Sequence, residues 1–310
     1  MQRARGDLGV RVLRELTSPG SLQWNFRESY SKLSKSLGAD EETVRLTLKR
    51  ALDSGFIEGW RLVLNPHLFG GSYAGAQLDV DPSVEKSRVI SQISLIDGVF
   101  LLFDFSGPGL RAAFYYNGES SLQRKVELMR EICHQRRDDP VLHWRVDAPP
   151  CRLKLRSTDW KIIRAIRKDP RRNSNEVARE LGLSTRTVNR RLKLMTEDKV
   201  GYLLPLRNVR KSKGVMCTFL VFCPESKKEG INEMARSVAD RVDFAYNSVK
   251  GLCLLTLFVD NLPEADEICE SLRNAGGVSE VRMGILKNFI FVDDWVDEKI
   301  DEILSSERNG

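Results

Sequence analysis

Two stretches of this chain, 144 residues apart, carry one pattern: Leu33 to Leu48 and Val177 to Leu192 each read as a helix, a glycine corner (Gly38, Gly182), a capping residue (Asp40, Ser184) and a second helix. A helix stopped by glycine and followed after roughly three or four residues by a capped amphipathic helix is the helix-turn-helix arrangement, which presents a recognition helix to a DNA major groove. Repetition at a fixed offset means that the 310 residues fold as a composite unit written twice. A single core is not expected at this length.

The duplication extends past the helices. In the first half, Tyr73 to Val80 reads as a strand, Val84 to Leu95 as an amphipathic helix, and Gly98 to Phe105 with Leu110 to Tyr116 as a hairpin. Glu119 to Cys133 follows as a helix and Val141 to Val146 as a last strand. The second half repeats the order with Val215 to Cys223, Lys228 to Ala239, Val242 to Ser248, Leu252 to Val259, Pro263 to Asn274 and Val278 to Leu286. Strand, helix, strand, strand, helix, strand predicts an antiparallel four-stranded sheet with both helices on one face, and leaves the other face to be covered by a partner. The fold class is therefore α+β, two winged helix-turn-helix domains alternating with two ferredoxin-like βαββαβ domains. Expected boundaries are 1–66, 67–148, 149–210 and 211–310, with Pro149 and Pro150 marking the central linker. Phe289 through Trp295 to Leu304 suggests a C-terminal helix, docked on the body or held out for a partner.

The net charge of +6 is unevenly placed. Lys154 to Lys213 holds 18 basic and 6 acidic residues (+12), Arg27 to Asn65 holds 7 and 6 (+1), and Asp260 to Arg308 holds 5 and 13 (−8). One segment is suited to meet phosphates and one to repel them. The charged start and the absence of any run of about 18 apolar residues argue against export and membrane spanning. Six cysteines without a CxxC pair fit reduced core thiols in a cytoplasmic protein, so no structural zinc and no cofactor are expected.

In the second unit, Ser184 caps a helix from Thr185, and a 3.6-residue period turns Val188, Leu192 and Met195 inward. Arg186, Asn189, Arg190 and Lys193 face outward, where arginine can pair bidentately with guanine and asparagine with adenine. Thr185, Thr187 and Arg191 are expected on phosphates, and Arg171 and Arg172 flank the preceding turn beside the sugar-phosphate backbone. The first unit instead puts Asp40, Glu41 and Glu42 at the tip of its second helix, with Arg45, Lys49 and Arg50 further along. Those acids suit a helix N-terminus as well as any other role, so unequal heads are expected. Phe103 and Phe105 alternate onto one face with Leu101, a core stripe and not an RNA-stacking platform.

These residues resemble the Lrp/AsnC family of prokaryotic regulators, written twice. The motif runs from Leu155 to Ile163, through Asp169-Pro-Arg171 and Leu181-Gly182-Leu183-Ser184, to Arg191, and in the first half Gly55 to Gly70 is similar to the family's wing and hinge. The resemblance implies winged helix-turn-helix heads on ferredoxin-like sensing (RAM) domains, double-stranded DNA as partner, and an internal pseudo-dimer open to further homo-oligomerisation. It also implies a candidate effector site at the hairpin loops Gly107, Gly109 and Gly251, although leucines (Leu110, Leu254) stand where the family's Gly-x-x-Asp hairpin has aspartate. The expected function is a sequence-specific DNA-binding transcriptional regulator that reads DNA mainly through the second head. Two alternatives remain: a non-specific architectural nucleic-acid-binding protein, and an enzyme like the fused two-half siroheme decarboxylases of the same superfamily. The latter resemblance would bring tetrapyrrole-binding histidines, and His67, His134 and His143 all fall outside the second and third strands of either copy. No catalytic residue is identified, and the chain is expected not to be an enzyme.

Overall fold

The computed structural model describes residues 8–17, 24–212, 214–231, 242–246 and 251–306. The chain opens with α1 (Leu8–Thr17), α2 (Tyr30–Leu37) and α3 (Glu41–Asp53), followed by β1 (Ile57–Leu64). A sheet segment follows: β2 (Ser72–Asp79), α4 (Lys86–Ser94), β3 (Val99–Phe105), β4 (Gly109–Tyr116), α5 (Gly118–Ile132) and β5 (Leu142–Val146). The helical theme then returns as α6 (Ser157–Ile166), α7 (Ser174–Leu181) and α8 (Thr185–Glu197), with β6 (Gly201–Arg207) after it. Last come β7 (Val215–Phe222), β8 (Val242–Tyr246), β9 (Leu252–Val259), α9 (Leu262–Arg273), β10 (Glu280–Phe291) and α10 (Asp294–Ser306). The helix expected over Lys228 to Ala239 is helical at 228–231, and its remainder lies outside the described residues, as does Ser248 at the end of the strand expected from Val242.

Both glycine corners form for a backbone reason. Gly38 (φ +61°) and Gly182 (φ +64°) sit in the left-handed region that ends a helix, where a side chain would be strained. Asp40 then accepts from the Thr43 amide (2.9 Å) and Ser184 from the Thr187 amide (3.1 Å), which starts α3 and α8. Among the described residues the strands β1 and β6 pair only with each other, antiparallel, with Trp60 opposite Pro205 and Leu64 opposite Gly201. Each head thus lends one strand to a shared ribbon.

The remaining strands form one eight-stranded sheet in the order β5-β2-β4-β3-β10-β7-β9-β8. β10 joins the halves, pairing with β7 over 280–285 and with β3 over 286–291. Sequence reading ended this strand at Leu286. It continues because Phe289 falls opposite Phe103 and Phe291 opposite Leu101, so extension buries both rings among residues of the same face. One face of each half packs on its helices, with Leu78, Leu102 and Phe114 beneath α4 and α5, and Phe219, Leu255 and Leu257 beneath α9. The helix-free face of each half was expected to be covered by a partner, which in an internal pseudo-dimer is the other half. The two faces meet each other: Trp144 of β5 packs with Leu220, Leu252 and Leu254. Phe103 and Phe105 belong to this inter-half layer.

α10 lies against the second helical unit. Arg167, 4% exposed, sits between Asp293 (3.0 Å) and Asp297 (2.6 Å), and Arg164 pairs with Asp301. Arg61 of β1 reaches the same Asp293 (3.0 Å). The acidic C-terminal stretch was expected to repel phosphates. Part of it instead neutralises cations of the second head, because both faces are brought together by burial of Val296, Ile300 and Leu304. Among the described residues no helix is long and apolar enough to cross a membrane.

Candidate nucleic-acid interface

α8 is set by its inward stripe. Val188, Leu192 and Met195 are buried, which leaves Arg186, Asn189, Arg190 and Lys193 exposed on the opposite side. Among the described residues Arg186, Asn189 and Arg190 have no intramolecular hydrogen bond or ion pair, and Lys193 only approaches Glu197 at 3.8 Å. Three donor side chains therefore project together from one helical face, and the first turn carries no acid to oppose an approaching phosphate. Ser184 and Thr187 share a hydroxyl contact (2.9 Å) at the cap, and Thr185 donates to Asn175 (2.9 Å), so these three hydroxyls hold the turn between α7 and α8.

Three arginines expected on phosphates have other partners. Arg191 is ion-paired through two nitrogens to the fully buried carboxylate of Asp159, which also accepts from the Arg156 amide (2.8 Å). Its hydrogen bonds to that carboxylate raise its pKa further, so Arg191 is a permanent structural cation. Arg171 stacks over the Tyr30 ring (5.0 Å) and donates to the Glu28 carbonyl (3.1 Å) of the first unit. Arg172 pairs with Glu180 (2.6 Å) and Glu176 (3.7 Å). Arg27 returns the contact, donating to the Arg172 carbonyl (2.7 Å) and to Ser174 (3.3 Å); burial and the nearby Arg171 charge lower its pKa. Arg27 and Arg171 brace head against head. Sequence reasoning missed that brace because their hydrogen-bond partners lie 143 to 147 residues away, and Arg27 carried no local signal.

In the first unit, Glu42 is hydrogen-bonded to Arg45 (Nε 2.7 Å), while Glu41, Lys49 and Arg50 stay exposed. At the candidate effector hairpin, Lys86 donates its ammonium to the carbonyls of Phe105 (2.6 Å), Gly107 (2.9 Å) and Gly109 (2.7 Å), and pairs with Asp104 (2.7 Å). The chain's own amine fills that loop. Gly251 (φ +77°) is the turn residue before β9, its carbonyl accepting from the Cys223 amide (3.1 Å), and the adjoining residues 247–250 lie outside the described residues.

A family model described as "Winged helix-turn-helix DNA-binding" matches residues 155–200, the α6 to α8 unit. An uncharacterised HTH-type transcriptional regulator of Pyrococcus furiosus is 31% identical over 119 residues, which cover 36% of this chain and 77% of that protein. The chain belongs to the family of HTH-type transcriptional regulators that this relative represents. Two crystal structures of the siroheme decarboxylase NirDL, one in complex with an iron-uroporphyrin III analogue, share the fold of this regulator. They cover 97% and 96% of it and 99% of their own chains, with TM-scores of 0.55 and 0.53 at 14% and 15% identity. That likeness corrects the expectation that the chain is not an enzyme, since an enzyme has this same fold along nearly its whole length. Histidine placement was too narrow a criterion: fold and chemistry vary independently, and an enzyme's site is set by whichever side chains line it.

Proposed function

We propose that this Lrp/AsnC-type chain is a sequence-specific regulator that reads a DNA major groove mainly with α8, the α1 to α3 head serving as the weaker member of an internal pseudo-dimer. The observation that carries the reading is the outward row of Arg186, Asn189 and Arg190, exposed and without internal partners among the described residues. Such side chains match guanine and adenine edges, each good bidentate contact contributing roughly 1–3 kcal/mol of discrimination. The braces from Arg27 and Arg171 support motion of the two heads as one body. Replacing Arg186, Asn189 and Arg190 together by alanine should cut the preference for the best duplex over random duplex by about a hundredfold or more, with the circular dichroism spectrum unchanged. Selectivity that survives the triple substitution would refute the assignment.

The fold shared with siroheme decarboxylase favours a second reading, an enzyme acting on a tetrapyrrole. The same purified protein tests it: a tetrapyrrole absorption band that copurifies with the chain, or is restored by added iron-uroporphyrin, would support the enzyme over the regulator.

A further inference from the structure

Where the two helix-free sheet faces meet under the β1/β6 ribbon, a cavity of about 170 Å³ remains. Its walls are mostly apolar and aromatic, and among the described residues no aspartate or glutamate lines it. Arg111 of β4 lies on this wall, 4% exposed. Its Nε donates to Gln77 Oε1 (3.1 Å), and the rings of Phe103, Phe105 and Trp144 lie 5.6, 5.1 and 5.7 Å from the guanidinium carbon. Among the described residues its two terminal amino groups have no hydrogen-bond partner, and no carboxylate pairs with it. Burial without a counter-charge pushes its pKa down, to about 9.

A guanidinium taken out of water is ordinarily held by a carboxylate, because the desolvation penalty is large and aromatic faces repay only part of it. Here rings lie near the guanidinium, Arg111 is part of the cavity lining, and its two terminal amino groups, which can hold a carboxylate by two parallel hydrogen bonds, have no partner among the described residues. We propose that this cavity is a binding site for a small apolar monocarboxylate, aromatic or branched, whose carboxylate docks on Arg111. An amino acid is disfavoured, since its ammonium would meet no acid among the described residues of the lining. A volume near that of cavities known to hold one benzene ring, about 150 Å³, also suits a single small ring and not a macrocycle. The proposal is independent of the DNA reading, because it concerns a different surface and needs no DNA.

Phenylacetate tests it, with phenylacetamide as the uncharged isostere and phenylalanine as the amino-acid control, each titrated by calorimetry against the full chain. Phenylacetate is expected to bind, to raise the melting temperature by a few degrees at saturation, and to exceed both controls by at least tenfold in affinity. Arg111→Met should abolish binding and leave the melting temperature of the unliganded protein equal or higher, since it removes an uncompensated buried charge. Ala113→Leu, on the same strand face and lining the cavity, should block binding while keeping the charge. No binding of phenylacetate to the unaltered chain would overturn the proposal. So would equal binding of phenylacetamide, or phenylacetate affinity retained in Arg111→Met or Ala113→Leu.

Discussion

Arg190 and Arg191 are neighbours in sequence and differ in what holds them. Arg190 is exposed with no internal partner among the described residues, whereas Arg191 is tied to Asp159, a carboxylate with no exposure to solvent. Breaking a buried pair from one side strands the other charge, at a cost of about 3–5 kcal/mol. Arg191→Ala should therefore lower unfolding stability by about that much, while Arg190→Ala changes it by less than about 0.5 kcal/mol, as read by urea denaturation. Equal midpoints for the two variants would show that the Asp159 pair contributes nothing. Helical period alone separated the buried Val188, Leu192 and Met195 from the exposed face, and in this the residues were legible. It could not separate one cation from the next, because Asp159 is supplied by α6, 32 residues away. Arg111 was passed over for the opposite reason: it is the one charge in the strand Leu110-Arg-Ala-Ala-Phe-Tyr-Tyr, on the face shared with Phe103, and that isolation was the available signal.

At the scale of elements, β1, β2 and β4 are stitched at one carbonyl. The hydroxyls of Tyr73 and Tyr115 both donate to Leu64 O, the latter at 2.8 Å, and Trp295 of α10 packs on the Tyr115 ring at 5.1 Å. Burial raises the pKa of both tyrosines above 10.0. In the unfolded chain they ionise near pH 10, so above that value the unfolded state binds fewer protons than the folded one. Stability must then fall as pH rises, by up to about 1.4 kcal/mol per pH unit for each tyrosine. Tyr115→Phe should flatten that decline above pH 10, although it loses a hydrogen bond worth about 1 kcal/mol at neutral pH. Identical slopes for the two proteins, followed by thermal unfolding between neutral and alkaline pH, would remove the seam from any role in alkaline lability. Most strands were legible from alternation: β9 occupies Leu252–Val259, the limits read from sequence. The β1/β6 ribbon and the extension of β10 were not, since both depend on partners in the other half of the chain.

Across the whole molecule, charge follows contacts between distant segments more closely than it follows sequence blocks. The second head carries the excess of cations, yet Arg164, Arg167 and Lys168 face the acids of α10, Arg171 and Arg172 face the first head or α7, and Arg191 is buried. What remains outward on α8 is a short row of donors, and at the tip of α3 it is Glu41 beside a Glu42 already hydrogen-bonded to Arg45, with Lys49 and Arg50 exposed further along. Each cation that meets a phosphate steepens the fall of log affinity with log salt by about 0.9. Arg186→Ala with Arg190→Ala should then weaken both selectivity and, to the extent either side chain touches a phosphate, the salt slope. Glu41→Ala with Glu42→Ala removes two negative charges from the first head. If that head stood as close to the backbone as α8 does, affinity would rise and the slope would change with it. For a weaker head, affinity should stay within about threefold and the slope unchanged, as measured by fluorescence anisotropy across a salt series. A rise in affinity well beyond threefold from the glutamate pair, with a changed slope, would mean that α3, not only α8, engages the duplex, and the assignment of unequal heads would fail.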